Sequence, residues 1–148
     1  MTVTFKTLGA ALALAVAAGP ALAQDIAVTY DFGGTFDDAT FAVETAIIGK
    51  GLVIDHVSHT GDMLARTGAD VGSDVVIFDG ADVFSFCSAT ISREVMEANP
   101  LNVAFCPYNI FVYAREGAVT VGYRTYPDGE MQKVQALLDE IVQDAIEN

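Results

Sequence analysis

The chain has 148 residues, 52% of them hydrophobic, and carries a formal charge of −13 from 20 acidic and 7 basic side chains. Charge of this sign repels phosphate backbones and anionic lipid, which argues against nucleic-acid and membrane-surface roles. It suits a basic protein partner, a metal cation, or solubility alone.

The first stretch, MTVTFKTLGAALALAVAAGPALAQD, sets Lys6 before an apolar run from Leu8 to Ala18, a Gly19-Pro20 break and the triplet Ala21-Leu22-Ala23. This is the layout of an export signal with a small-x-small cleavage site. The apolar run is shorter than the ~20 residues of a membrane span. Residues 1–23 are therefore expected to be removed, leaving 24–148 as one periplasmic or secreted domain with no stable membrane anchor. A domain of about 125 residues buries a core of its own and does not need a disulfide framework to fold.

DIAVTYDFGG alternates Ile26, Val28 and Tyr30 on one face, as a strand does, and stops at Gly33-Gly34. Thr35 precedes Asp38 by three, the capping-box spacing, and Ala39, Val43 and Ala46/Ile47 recur at helical intervals up to Gly49. LVIDHVSHTG reads as a second strand, DMLARTG as a short helical turn and ADVFSFC as a third strand. SATISREVMEANP is a helix that ends at Asn99-Pro100. VAFCPYNIFVYAREGAVTVGYRTY predicts a hairpin turning near Arg115-Glu116-Gly117. After Pro127-Asp128-Gly129, Met131, Val134, Leu138, Ile141 and Ala145 mark an amphipathic C-terminal helix. The order β-α-β-α-β-α-β-β-α predicts an α+β two-layer sandwich, with helices on one face of a mainly antiparallel sheet.

FSFCSATISREVMEANPLNVAFCPYNIFVY resembles the central signature of the domain-of-unknown-function family 302, in which a strand ending in Cys leads to a helix ending at Asp/Asn-Pro and a strand Pro-Cys-Asn-Val-Val-Val-Tyr. Cys87, Asn99-Pro100, Pro107 and Asn109-Ile110-Phe111-Val112-Tyr113 carry the match. Tyr108 stands where many members of that family place their second cysteine, and Cys106 lies two residues earlier. The resemblance implies a small α+β domain and no particular activity.

Cys87 and Cys106 are the two cysteines, and an even count in an exported chain favours a disulfide. The competing reading starts from Cys87 at a helix N-terminus, where the dipole favours a thiolate, with Cys106 as its resolving partner. His56 and His59 are the two histidines. On a strand, side chains three apart point to opposite faces, which counts against one shared ion. His59 with Met63, Cys87 and Cys106 would form a soft set suited to copper in an accessory protein. Otherwise no cofactor is expected.

Asp37 and Asp38 fall in a first helical turn, where carboxylates complement the dipole, so capping outweighs catalysis. No nucleophile elbow or phosphate loop is present, and the chain reads as non-enzymatic. Phe111 and Tyr113 share one face of the hairpin, and Ile110 and Val112 the other. Tyr108, Phe111 and Tyr113 are therefore expected to form a surface for a ligand, a basic protein or a second copy of the chain.

Overall fold

The computed structural model describes residues 26–147, so the expected signal segment, residues 1–23, lies outside the described residues. Five strands and four α-helices follow in order: β1 (Ala27–Phe32), α1 (Phe36–Gly49), β2 (Ile54–Ser58), α2 (Thr60–Thr67), β3 (Gly80–Phe86), α3 (Ala89–Ala98), β4 (Tyr108–Arg115), β5 (Ala118–Arg124) and α4 (Gln132–Glu147). Short 3-10 turns occupy Ala69–Val71 and Pro100–Phe105. The strands form one sheet in the order β1-β5-β4-β3-β2, and every neighbouring pair is antiparallel. This is the expected α+β sandwich.

Local chemistry explains most of the boundaries. The Thr35 side chain accepts from the Asp38 N–H, and the Asp38 carboxylate accepts from the Thr35 N–H at 3.0 Å. This capping box satisfies two of the donors that a helix start leaves unpaired. The Thr35 hydroxyl and N–H also hold the Asp38 carboxyl below its ordinary pKa. Ser88 caps α3 by accepting from the Ile91 N–H.

The β4–β5 hairpin turns at Glu116 (φ 53°) and Gly117 (φ 82°), directly after the Arg115–Ala118 pair. Two successive positive φ angles are what a tight hairpin following the sheet's right-handed twist requires.

Strand alternation then sorts the core. Tyr108, Ile110 and Val112 of β4, Phe84 and Phe86 of β3, and Val121 and Tyr123 of β5 are buried on one face. They pack with Ala39, Val43 and Ile47 of α1 and with Val134, Leu138, Ile141 and Val142 of α4. Each large apolar side chain buried this way contributes about 1.5–3 kcal/mol. Lys50 at the end of α1 reaches Glu140 at 3.4 Å and Asp144 at 3.0 Å, and Lys133 of α4 reaches Glu94 of α3 at 3.2 Å. These exposed pairs contribute little to stability.

Two expectations need correction. The hairpin strand was expected to begin near Val103, but Pro100–Phe105 coil into a 3-10 turn. Pro100 starts that turn, Asn99 accepts from the Leu101 N–H, and the Asn102 amide donates to the Val95 carbonyl at 2.7 Å. The second predicted strand is also shorter, because His59 occupies the N-cap position of α2 and Thr60 belongs to that helix.

Candidate functional site: the open sheet face and the cysteine bridge

Residues of the opposite parity point away from α1 and α4, although Ala81 among them is buried where Gly61 of α2 packs on its backbone. They are Ala27, Thr29 and Asp31 on β1, Thr120, Gly122 and Arg124 on β5, Asn109, Phe111 and Tyr113 on β4, Ala81, Val83 and Ser85 on β3, and His56 and Ser58 on β2. Among the described residues, α1 and α4 pack on the other side, and α2 sits beside β3. Phe111 and Tyr113 are half-buried on this open face.

Their rings stack with centroids 6.2 Å apart, and Phe78 meets Tyr113 at 5.4 Å. Phe111 lies across Gly122, where a Cβ would come within 2.7 Å of its ring. Glycine here lets the aromatic lie flat on the neighbouring strand. Asn109 donates its side-chain amide to the Ser85 hydroxyl at 2.8 Å. Arg124 is held at one end of the face with its guanidinium 5.0 Å from the Phe105 ring centroid and 5.3 Å from that of Tyr126.

Tyr108, expected on this surface with Phe111 and Tyr113, is fully buried on the helix face. Its parity matches Ile110 and Val112, and its hydroxyl lies 3.0 Å from the Ser92 hydroxyl of α3. Sequence reasoning grouped it with the other aromatics by residue type, but strand alternation separates them.

Cys87, just past β3, and Cys106, just before β4, meet within bonding distance with Cα atoms 6.7 Å apart. Both are half-buried, and the Cys106–Pro107 peptide is cis. The bridge spans the α3 excursion and ties its two ends together beside the Phe86–Tyr108 pair that ends the β3–β4 ladder.

The four residues considered for copper do not converge. His59 stands at the N-cap position of α2 with Met63 one turn further on, and its Nδ1 lies 2.8 Å from the Asp82 carboxylate near the start of β3. Cys87 follows the other end of β3, about five residues or roughly 16 Å from Asp82 along an extended strand. The cysteine sulfurs bond each other. Among the described residues, no group of three or more His, Cys, Asp or Glu side chains is placed to hold a metal ion. His56 faces the open side of the sheet, opposite Ser85, while His59 lies beyond the end of β2 and bonds the Asp82 carboxylate.

Two features escaped the sequence reading. The Tyr30 and Tyr123 hydroxyls both donate to Asp139 Oδ1 of α4, at 2.6 and 2.7 Å. Their bonds hold the Asp139 carboxyl below its ordinary pKa. Burial, then the bond to Asp139, pushes the Tyr123 hydroxyl far above its usual range. The second feature is a shallow cleft of about 880 Å³ on the helix layer, between the Phe32-Gly33-Gly34 turn, Phe41 and Ala46 of α1 and the end of α4. Neither feature has a local sequence signal, because both join residues from the two ends of the domain. Among the described residues, no helix is long and apolar enough to cross a membrane.

Comparison with known proteins agrees with this architecture. The crystal structure of an uncharacterized conserved DUF302 protein from Bacillus stearothermophilus superposes with a TM-score of 0.60 at 16% sequence identity, covering 82% of this chain and 96% of that one. At that identity the likeness concerns the fold. No curated protein matches the chain. The profile described as "Domain of unknown function DUF302" matches residues 26–148, so the chain belongs to the DUF302 family.

Proposed function

We propose that this protein is an exported, non-enzymatic binding domain that receives a protein partner or a small ligand on its open sheet face, with Cys87–Cys106 as a structural staple. The observation that carries the reading is the stacked pair Phe111 and Tyr113, half-buried on the side of the sheet opposite α1 and α4. Aromatic side chains in that state supply contact area and remain available to bury more. The export layout of residues 1–23 and the acidic composition fit a soluble protein outside the cytoplasm. Asp38 is engaged in capping α1, which supports a structural over a catalytic role for that carboxylate.

Tyr113→Ala should weaken assembly or partner capture while leaving a cooperative melt. Unchanged sedimentation and pulldown would overturn the reading. The competing use of the cysteine pair, thiol redox chemistry, is separated by thiol trapping across a series of glutathione potentials. A staple stays oxidised to below roughly −300 mV, whereas a working dithiol exchanges at about −120 to −230 mV.

A further inference from the structure

We infer that the occupant of the open face is a second copy of this chain, packed sheet on sheet about a two-fold axis that runs across the strands at Phe111 and Gly122. The inference rests on the open-face reading and names the partner.

The register supplies the geometry. Thr29 pairs with Gly122, Gly122 with Phe111, Phe111 with Val83 and Val83 with Ser58, so these five residues form one straight row across the sheet. On one side of that row lie Asp31, Thr120, Tyr113 and Ala81. On the other side lie Ala27 and Arg124, then Asn109, Ser85 and His56.

A two-fold rotation about the row keeps each strand over its own counterpart and exchanges the two sides. Phe111 then meets the partner's Phe111 at the axis. Tyr113 stands over the partner's Asn109, giving its hydroxyl an amide to bond. Asp31 stands over the partner's Ala27, next to the partner's Arg124, and symmetry makes that ion pair twice.

Face-to-face sheets lie about 10 Å apart, a gap that Phe, Tyr and Arg side chains from both sides fill. A two-fold interface must be complementary to itself, and this face carries one acid, Asp31, on one side of its central row and one base, Arg124, on the other.

Charge favours a second copy for another reason. The protein has 20 acidic residues, but Asp31 is the one acid among the register-paired strand positions that point to this side. Arg115, two residues beyond Tyr113, is matched by Glu116 at 3.5 Å. Two strongly acidic molecules therefore approach most easily through this surface. A basic partner would meet Arg124, and an acidic one Asp31. The exposed apolar residues Val75, Val76 and Ile77 lead directly into Phe78, whose ring packs on Tyr113.

The test uses two charge reversals, Asp31→Arg and Arg124→Asp, in the purified protein, followed by sedimentation equilibrium and native mass spectrometry. Wild type should be a dimer. Each variant alone sets like charges together twice, and its dissociation constant should rise by more than about tenfold. Mixing the two variants restores both pairs in a heterodimer, so dimer of the mixed mass should return. Arg124→Asp also removes the ring contacts to Phe105 and Tyr126, so its melt is recorded alongside. Asp31 is exposed in β1 and carries no such complication.

A monomeric wild type, variants that dimerise normally, or a mixture that fails to recover would each overturn the inference. If wild type is monomeric but Tyr113→Ala still abolishes capture of another molecule, the second copy is wrong and the open-face reading stands. If Tyr113→Ala changes nothing, both fail.

Discussion

Replacing Asp139 with alanine should lower stability by about 3 kcal/mol, measured as a shift in the urea midpoint. One carboxylate oxygen accepts from two tyrosine hydroxyls, on β1 and β5, and so fastens α4 over that end of the sheet. Tyr123 is 2% exposed, so its hydroxyl would lose a charged acceptor without gaining water. Tyr30 is half-buried and partly rescued by solvent. Tyr123→Phe removes donor and need together and should cost only about 1 kcal/mol. Equal losses in the two variants would show that the carboxylate contributes nothing beyond one ordinary hydrogen bond.

The same cluster sets a pH dependence whose sign follows from the directions of the shifts. The Asp139 carboxyl is held below its ordinary value, so its contribution is complete above about pH 4 and is lost as pH falls through the depressed folded value. The Tyr123 and Tyr30 hydroxyls are raised, Tyr123 mainly by burial and Tyr30 mainly by its bond to Asp139. Their contribution is complete below about pH 10 and declines above it, where the unfolded chain ionises first. Asp139→Asn keeps an acceptor oxygen but cannot titrate, so its urea midpoint should fall less steeply than wild type between about pH 4 and pH 2.

Changing Cys87 and Cys106 together to serine should also cost about 3 kcal/mol, through release of the unfolded chain. The bridge closes a loop with a sequence separation of 19 and holds the end of β3 to the start of β4. Because the effect lies mainly in the unfolded ensemble, the urea midpoint should fall while the dependence on urea steepens. A midpoint within error of wild type would remove the staple from the account of stability and bring the redox reading forward. The Phe86–Tyr108 pair beside the bridge is buried, so residual helix-face packing should keep the variant folded at room temperature.

Much of this architecture is written locally in the chain. The Thr35–Asp38 capping box, the Glu116-Gly117 hairpin turn, the stop at Asn99-Pro100 and the apolar stripe of α4 all depend on residues within one or two turns of each other. Such signals act through backbone geometry and short hydrogen bonds, so element order and the α+β class were legible before any tertiary contact. The central block around Cys87 and Asn109–Tyr113 carried the family, and the odd parity of Phe111 and Tyr113 already separated them from Ile110 and Val112.

The tertiary structure alone decided which of those faces is covered and what lies beside what. It placed β1 against β5, buried Tyr108 with Ser92, and split His59 and Met63 from the cysteines by the length of β3. It joined His59 to Asp82 across 23 residues and Tyr30 to Asp139 across 109. The physical reason is the range of the forces. Caps, turns and periodicity are settled between near neighbours, whereas strand order and a buried hydroxyl's partner depend on how all the apolar faces are hidden at once.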